Sequence, residues 1–210
     1  MARKKKETKQ ETNTNVKNVN VTDSTSSLSY HGNVLIQHQK NGKTVKTTMV
    51  KNKGLRNLFN YIACSLSGVL NDGLYPKFIV CANKITPSSP TTNMNICSKV
   101  VSQRSSTIEV VEDEMNVDED IYISTHTFLI SVLNISTTSQ NVIDRLILVP
   151  NNSTAIEIFN KSTVTNDELQ KYGCAYIDLT ENSVINISTD IDIDSAVVVT
   201  WKMSIDDIQS

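Results

Sequence analysis

The chain has 210 residues, enough for one good-sized domain with an appendage or for two small domains. Its formal net charge of −2 argues against a nucleic-acid-binding protein, because such proteins present a strong positive field to phosphates. No apolar run approaches the roughly 18 residues of a membrane span, and the basic start lacks the apolar core of a signal peptide. We therefore expect a soluble, unsecreted protein with no membrane partner.

Residues 1–27 are predicted to form an extended, polar and basic N-terminal arm. The opening MARKKKETKQ holds five Lys or Arg residues against one Glu, and three valines are the main apolar anchors that follow. Such a segment cannot bury enough surface to offset its ordering entropy, so we expect a partner to hold it. Addition of residues 15–21 as a strand to a neighbour's sheet edge would be the mechanism, with DNA contact as the alternative. The predicted docking residues are Arg3, Lys4, Lys5, Lys6, Val16, Val19 and Val21.

Residues 28–210 are predicted to form one domain, which opens with a β-hairpin. Asn41 and Gly42 separate two strand-like runs, and both central residues of a type I′ turn need a positive φ, which Asn and Gly tolerate. His38 lies on the first run between two glutamines. We interpret it as a solvated strand histidine rather than a ligand.

The segment 53–67, KGLRNLFNYIACSLS, is predicted as the one amphipathic helix. Five apolar residues recur at helical spacing and should share a buried face. They are Leu55, Leu58, Phe59, Ile62 and Leu66. Gly68 supplies a stop, because glycine tolerates the left-handed conformation that closes a helix. A helix of about 15 residues is marginal in water, so it must pack on the strands that follow.

Beyond this helix the pattern predicts strands and loops. The apolar run 77–82 is typical of a buried strand, and 83–97, with two prolines, of a loop. Further strands are predicted at 98–111, 120–135, 143–149, 155–159, 176–179, 184–188 and 195–205, with a turn of helix in 163–173 that starts at Thr165 or Asn166. Many short strands with little helix between them predict a mainly β protein, an antiparallel, jelly-roll-like β-sandwich.

The sequence carries no recognisable catalytic motif. Its three histidines, His31, His38 and His126, stand among many serines without a nucleophile-elbow glycine motif. No P-loop, dinucleotide fingerprint or zincin motif is present. We therefore predict a protein that is not an enzyme and has no catalytic residues and no cofactor.

The four cysteines are Cys64, Cys81, Cys97 and Cys174. Their spacing includes no close pair of the kind that a metal site needs. Because Cys64 lies on the predicted helix and Cys81 in a buried strand run, we predict small buried thiols, made in a reducing compartment.

Asp190, Asp192 and Asp194 are weak candidates for metal ligands. Three carboxylates at period two on a strand would share one face, and hard cations favour oxygen ligands. The residues that follow lack the glycine and glutamate of an EF-hand loop, so we predict no metal site but a solvated strand edge. A second acidic run, 109–120, holds seven acids and no base. It is predicted as an acidic turn, with docking of a basic arm as the alternative.

One resemblance follows from the order of these elements. Asn52-Lys53-Gly54-Leu55 opens a helix, PKFIVCANKITPSSPTTNM gives a strand and a Pro/Thr-rich loop, and RLILV and AVVVTWKMSI follow as later strands. This order, over roughly residues 47–207, resembles a small β-domain of tailed-bacteriophage structural proteins, found in tail-fibre, baseplate, neck and head-fibre contexts. The chain departs from that pattern at Cys81-Ala82-Asn83, where a glycine is usual.

The resemblance implies a non-enzymatic virion protein, made in the cytoplasm of a bacterial host. It would form a symmetric homo-oligomer in a collar or ring, a tail adaptor or a capsid-attached fibre, with portal, capsid or tail proteins as further partners. The alternative is a receptor- or carbohydrate-binding β-sandwich at a fibre tip. Its stacking platforms would be Tyr30, Tyr122, Tyr172 or Tyr176.

Overall fold

A computed structural model describes residues 27–69, 72–84, 93–112, 120–136 and 141–208. The strands in these residues are β1 (Ser27–Lys40), β2 (Lys43–Lys51), β3 (Lys53–Gly54), β4 (Pro76–Lys84), β5 (Asn93–Ile96), β6 (Val101–Ser102), β7 (Ser105–Glu112), β8 (Asp120–Ile130), β9 (Val142–Ile143), β10 (Arg145–Pro150), β11 (Thr163–Thr165), β12 (Ala175–Asp178), β13 (Ile185–Asn186) and β14 (Ser195–Ile208). The α-helices are α1 (Arg56–Leu66), α2 (Ser153–Phe159), α3 (Asn166–Tyr172) and α4 (Ile187–Asp190).

Two antiparallel sheets carry the fold. The first has the strand order β2-β1-β14-β8-β7, and the second has the order β11-β5-β4-β10-β12-β3, with β6 also paired to β4. A small third pair joins β9 to β13. The prediction of a mainly β, sandwich-like antiparallel fold is confirmed, whereas its jelly-roll detail stays a prediction.

A first core fills the space between the two sheets. Alternate residues of β14 are buried while their neighbours are partly exposed, as expected for a strand with one covered face. The inward residues of the first sheet include Val34, Ile36, Phe128, Ile130, Val197, Val199 and Trp201. They pack in one cluster with residues of the second sheet that include Ile79, Cys81, Leu146, Leu148 and Ile177.

A second core lies on the opposite face of the second sheet, so every residue of β10 is buried. Ala155 and Phe159 of α2 and Leu169 of α3 pack here against strand residues such as Ile147. The prediction of a strand at 155–159 was therefore wrong. Ala155 and Phe159, four residues apart, share one helical face, and the Asn152 Oδ1 caps the helix by accepting a hydrogen bond from the Ala155 N–H at 3.2 Å.

The predicted amphipathic helix 53–67 is present as the shorter α1, and its predicted start was wrong because Lys53–Gly54 form β3 and Leu55 is the N-cap. Gly68, with φ +74°, follows its end as expected. Leu58 is buried and Ile62 packs against the first core. Phe59, however, is 49% exposed, so its place on the buried face was wrong. The part of the helix surface that the core covers is therefore narrower than the apolar face predicted from the sequence.

Two predicted turns are confirmed by the backbone. Asn41 and Gly42 have φ values of 50° and 73°, as a type I′ hairpin requires. Thr165 caps α3 in a capping box: its side chain accepts from the Glu168 N–H, and the Glu168 carboxylate accepts from the Thr165 N–H.

Several predicted strand boundaries were wrong. The run 98–111 is divided between β6 and β7, and β8 ends at Ile130, where Ser131 starts a 3-10 turn over Val132–Asn134. The predicted strand 184–188 is only the short β13, followed by α4. Within the predicted loop 83–97, residues 93–96 form β5, and residues 85–92 lie outside the described residues.

Candidate functional site

Among the described residues, the first sheet ends at β2 on one side and at β7 on the other. β2 is mostly exposed and carries three lysines, Lys43, Lys46 and Lys51. Val45 and Met49 between them are 66% and 67% exposed. Lysines on an edge strand oppose pairing with another chain, so the β2 edge is protected against the addition of a further strand.

The β7 edge has a different chemistry. It pairs with β8 from Ser105 opposite Thr127 to Glu112 opposite Asp120, and it holds no lysine or arginine. Its exposed residues at the first end are Ser105, Ser106 and Thr107. At the other end, where β7 and β8 approach their connection, the strands carry acids. The β7 edge therefore lacks the lysines that would oppose the addition of a further strand.

An apolar surface, here called the end patch, lies where β8 ends and β14 begins. Val132, Leu133 and Ile193 are 49%, 81% and 91% exposed. Together with Leu129 and Ala196 they line an open concavity of about 580 Å³. Three aliphatic side chains grouped in this way differ from the scattered apolar residues of an ordinary surface.

Charges of both signs surround the end patch. Arg104 precedes β7, while Asp192 and Asp194 precede β14, so the charges lie on either side of β8, and all three residues line the same concavity. A surface with an apolar centre and a charged rim has the composition of a protein–protein contact.

The aspartates 190, 192 and 194 do not share a strand face, so the prediction of a strand edge was wrong. Asp190 ends α4, and Asp192 and Asp194 lie in the bends before β14. Asp192 Oδ1 accepts from the Asp194 N–H at 2.7 Å, and this hydrogen bond lowers the pKa of Asp192. Among the described residues, no group of three His, Cys, Asp or Glu side chains could hold a metal ion.

His38 is 3% exposed, so its interpretation as a solvated histidine was wrong. Its Nδ1 lies 3.4 Å from the Asp190 Oδ2. Burial lowers the pKa of His38 and outweighs the attraction of the Asp190 carboxylate, which acts in the opposite direction. The available signal was the period-two pattern of β1, because His38 continues the buried face of Val34 and Ile36. Its contact with Asp190 could not be predicted, because α4 comes from a distant part of the chain.

His126 belongs to a buried polar network that the sequence analysis missed. Its Nε2 lies 3.0 Å from the Ser124 Oγ, and its Nδ1 lies 3.0 Å from the Gln103 Oε1. The Tyr75 ring approaches the imidazole edge-on, with 5.6 Å between ring centroids. Burial lowers the pKa of His126 to about 4, so the imidazole is neutral at pH 7. The i, i+2 spacing of Ser124 and His126 on a strand was the available signal.

A serine, a histidine and an amide in hydrogen-bond contact superficially match a catalytic triad. Acyl transfer also needs backbone N–H groups aimed at the developing oxyanion. Ser124 lies within β8, which is paired on one side to β7 and on the other to β14. Ladder pairing uses the backbone N–H groups of such a central strand, so this arrangement favours a structural network.

A charged cluster gathers around Asp178. The Arg145 Nε and Nη2 each approach the Asp178 Oδ1 at 2.8 Å, and the Lys84 Nζ lies 3.1 Å from the same oxygen. The Lys53 Nζ is 3.5 Å from Oδ2, and the Arg145 guanidinium lies 4.9 Å from the Tyr176 ring centroid. The cluster therefore holds Tyr176, one of the predicted stacking platforms, in an intramolecular contact.

A polar groove runs between α1 and α3. A concavity of about 540 Å³ is lined by Arg56, Asn57, Asn60, Asp167, Gln170 and Lys171. A neighbouring one of about 270 Å³ shares Asn57 and Lys171 and reaches Tyr172. The Asn57 Nδ2 donates to the Lys171 carbonyl at 2.9 Å, which holds this amide in place.

Some predicted site residues cannot be placed. The arm residues Arg3, Lys4, Lys5, Lys6, Val16, Val19 and Val21 lie outside the described residues, as do the side chains of Tyr30, His31 and Tyr122. Of the cysteines, Cys81, Cys97 and Cys174 are buried, whereas Cys64 on α1 is partly exposed, so its prediction as a buried thiol was wrong. Within the part of the chain that the structure describes, no helix is long and apolar enough to cross a membrane.

Comparisons of the chain with protein-family models, with curated proteins and with solved structures found no match. The end patch, the two sheet edges and the order of elements are therefore the features from which a function can be inferred.

Proposed function

We propose that this chain is a non-enzymatic structural component of a tailed-phage virion and assembles as a symmetric oligomer. The observation that carries the proposal is the end patch, whose Leu133 and Ile193 side chains are 81% and 91% exposed. Complete burial of an aliphatic side chain of this size contributes about 1.5–3 kcal/mol. The patch therefore offers a substantial gain to any assembly that covers it.

A second copy of the chain suits the end patch. Arg104 and Asp194 line the same concavity on either side of β8. Copies that meet through this surface can place opposite charges against each other at the rim while the aliphatic side chains fill the centre. A contact in which the same surface meets itself has twofold symmetry and generates a closed dimer.

The order of elements supports placement of the oligomer in a virion. Helix α1, strand β4, strand β10 and strand β14 follow one another in the order of the phage β-domain that the sequence resembles. A collar or ring, a tail adaptor and a capsid-attached fibre all use such domains in many copies. The basic arm would dock on portal, capsid or tail proteins or on the next copy.

The test is the mass of the full-length protein by sedimentation velocity, together with its co-sedimentation with phage particles. We expect a defined oligomer that Leu133→Asp with Ile193→Asp dissociates. The matched control is Val69→Asp, since Val69 is also aliphatic and 60% exposed but lies outside the end patch. A full-length protein that stays monomeric and does not enter particles would refute the proposal.

A carbohydrate-binding module is the second candidate, and the groove between α1 and α3 favours it. Its amides offer both donors and acceptors, as neighbouring sugar hydroxyls require. Tyr172, which lines the adjoining concavity, supplies an aromatic ring. Binding on a glycan array that Asn57→Ala and Gln170→Ala both abolish would support this function. Lack of binding to any glycan would refute it.

A further inference from the structure

The two edges of the first sheet differ in their ability to accept an added strand. Strand addition uses the unpaired backbone N–H and C=O groups of an edge strand. β2 carries Lys43, Lys46 and Lys51, which would repel a basic segment. β7 (Ser105–Glu112) carries no basic residue and is rich in β-branched residues, which favour strand pairing. Of these two edges, β7 is the better acceptor.

Charge identifies the segment that would occupy β7. Glu109 and Glu112 lie on this strand, Asp120 pairs with Glu112 from β8, and the connection between the two strands adds four more acids in the sequence. The chain's own arm has the complementary composition. Residues 15–21, NVKNVNV, alternate valine with polar residues, and the ten residues at the start of the chain hold five Lys or Arg.

The same charges select the orientation of the added strand. In an antiparallel arrangement that pairs residues 15–21 with residues 106–112 of β7, Val21 lies beside Ser106 and Asn15 lies beside Glu112. The basic residues that precede Asn15 then continue past Glu112 towards the acids. In a parallel arrangement they would instead emerge near Arg104, at the end of β7 that carries positive charge. Antiparallel pairing is therefore favoured by charge as well as by its better hydrogen-bond geometry.

The antiparallel strand has to come from another copy of the chain. Ser106 lies in the same row of the first sheet as Val34, seven residues along β1 from Ser27. Seven residues along a strand and four strand spacings across the sheet separate Ser27 from a Val21 placed beside Ser106 by about 30 Å. The six residue steps from Val21 to Ser27 span at most about 22 Å. The chain's own arm cannot close this gap.

We infer that residues 15–21 of a neighbouring copy add to β7 as an antiparallel sixth strand of the first sheet. The inference rests on the proposed function, since it requires that copies assemble. It names the arm of one copy and the β7 edge of the next as partners. Such a head-to-tail exchange links each subunit to its neighbour and closes when the subunits form a ring.

Crosslinking between singly substituted chains tests the inference. In a Cys64→Ser background the other thiols are buried, and burial raises the pKa of Cys81 to about 12 and that of Cys97 to about 11, which suppresses their reactivity. A chain with Asn15→Cys is mixed with a differently tagged chain with Glu112→Cys, and Val21→Cys is mixed with Ser106→Cys. A short bismaleimide is then added to the full-length proteins.

We expect covalent dimers of differently tagged chains from these two mixtures, at about tenfold higher yield than from the parallel pairs. The parallel pairs are Asn15→Cys with Ser106→Cys and Val21→Cys with Glu112→Cys. Val19→Cys with Thr47→Cys, on β2, is the control for the other edge. Preferred crosslinking of a parallel pair or of β2 would overturn the inference, as would equal yields from all pairs.

The outcome separates this inference from the proposed function. If the substituted chains form the same oligomer as the unsubstituted protein but give no antiparallel crosslinks, strand exchange is refuted and assembly through the end patch still stands. A monomer that forms no crosslink would refute both. As a second measurement, Glu109→Gln with Glu112→Gln should weaken association about three- to tenfold at low salt, the range expected for the loss of two ion pairs that salt screens. Lys43→Gln with Lys46→Gln should not weaken it.

Discussion

Removal of the Asp178 carboxylate should destabilise the protein more than its exposure suggests. The Arg145 side chain is 8% exposed and directs two N–H groups at the Asp178 Oδ1, both at 2.8 Å. In Asp178→Ala the guanidinium stays buried without its counter-charge. Loss of one partner of a buried pair costs about 3–5 kcal/mol. Because the Asp178 side chain is 27% exposed, water can replace part of the interaction, and we expect about 2–3 kcal/mol.

Urea unfolding measures this loss as a lower midpoint at an unchanged m-value. Lys53→Ala is the matched control, since Lys53 contacts the same carboxylate at 3.5 Å but is 63% exposed. Lys53→Ala should lower the free energy of unfolding by less than about 1 kcal/mol. The double variant Arg145→Met with Asp178→Leu should be more stable than Asp178→Ala, because it leaves no buried charge unpaired.

The effect should also depend on pH in a defined direction. Burial raises the pKa of Asp178, but the hydrogen bonds and charges of Arg145 and Lys84 outweigh it and hold the pKa below the ordinary value of 3.8. The stabilisation is therefore fully present above pH 3.8 and is lost as the pH falls through the lower folded-state pKa. If Asp178→Ala costs no more than Lys53→Ala at pH 7, the reasoning about the buried guanidinium is wrong.

Three other predictions address the helices and the buried histidine. Phe159→Ala should lower the free energy of unfolding in urea by about 3–5 kcal/mol, because Phe159 is fully buried. Phe59→Ala on α1 should lower it by less than half of that amount. Equal losses in the two variants would contradict the assigned packing. Thr165→Ala should cost about 1 kcal/mol by removing the α3 cap, and Thr165→Ser should restore most of it; no loss in the alanine variant would contradict the capping box. NMR titration should give His126 a pKa near 4, below its ordinary 6.5, so stability should fall as the pH decreases between these values; a pKa of 6 or above would contradict burial of a neutral imidazole.

Local chemistry made several elements predictable. The Asn41-Gly42 turn and the Thr165 cap depend on residues within four positions of each other, so their physics is contained in a short segment. The run Arg145–Pro150 is apolar beyond its first residue, and it proved to be a strand covered on both faces. These are the features for which sequence-based prediction succeeded.

The sequence pattern failed where distant segments decide the outcome. A mostly apolar five-residue segment such as 155–159 has the length of a strand or of a helical turn, and its packing over the second sheet, together with the Asn152 cap, makes it α2. His38 continues the buried face of Val34 and Ile36 on β1, but its partner Asp190 is more than 150 residues away in the sequence. The Ser124–His126–Gln103 network likewise depends on the pairing of β7 with β8.

Some features of the candidate site could likewise be predicted from the sequence, and others could not. The sequence by itself determined the mainly β class and the opposite charges of the N-terminal arm and the 109–120 run, because composition and period-two patterning are local properties. Only the tertiary structure decided which strands are edges and which aliphatic residues are exposed. Leu133 and Ile193 are 60 positions apart and meet in one patch because β8 and β14 pair with each other. Strand order is set by packing between distant segments, whereas local turn chemistry such as Asn41-Gly42 fixes register only within its own hairpin.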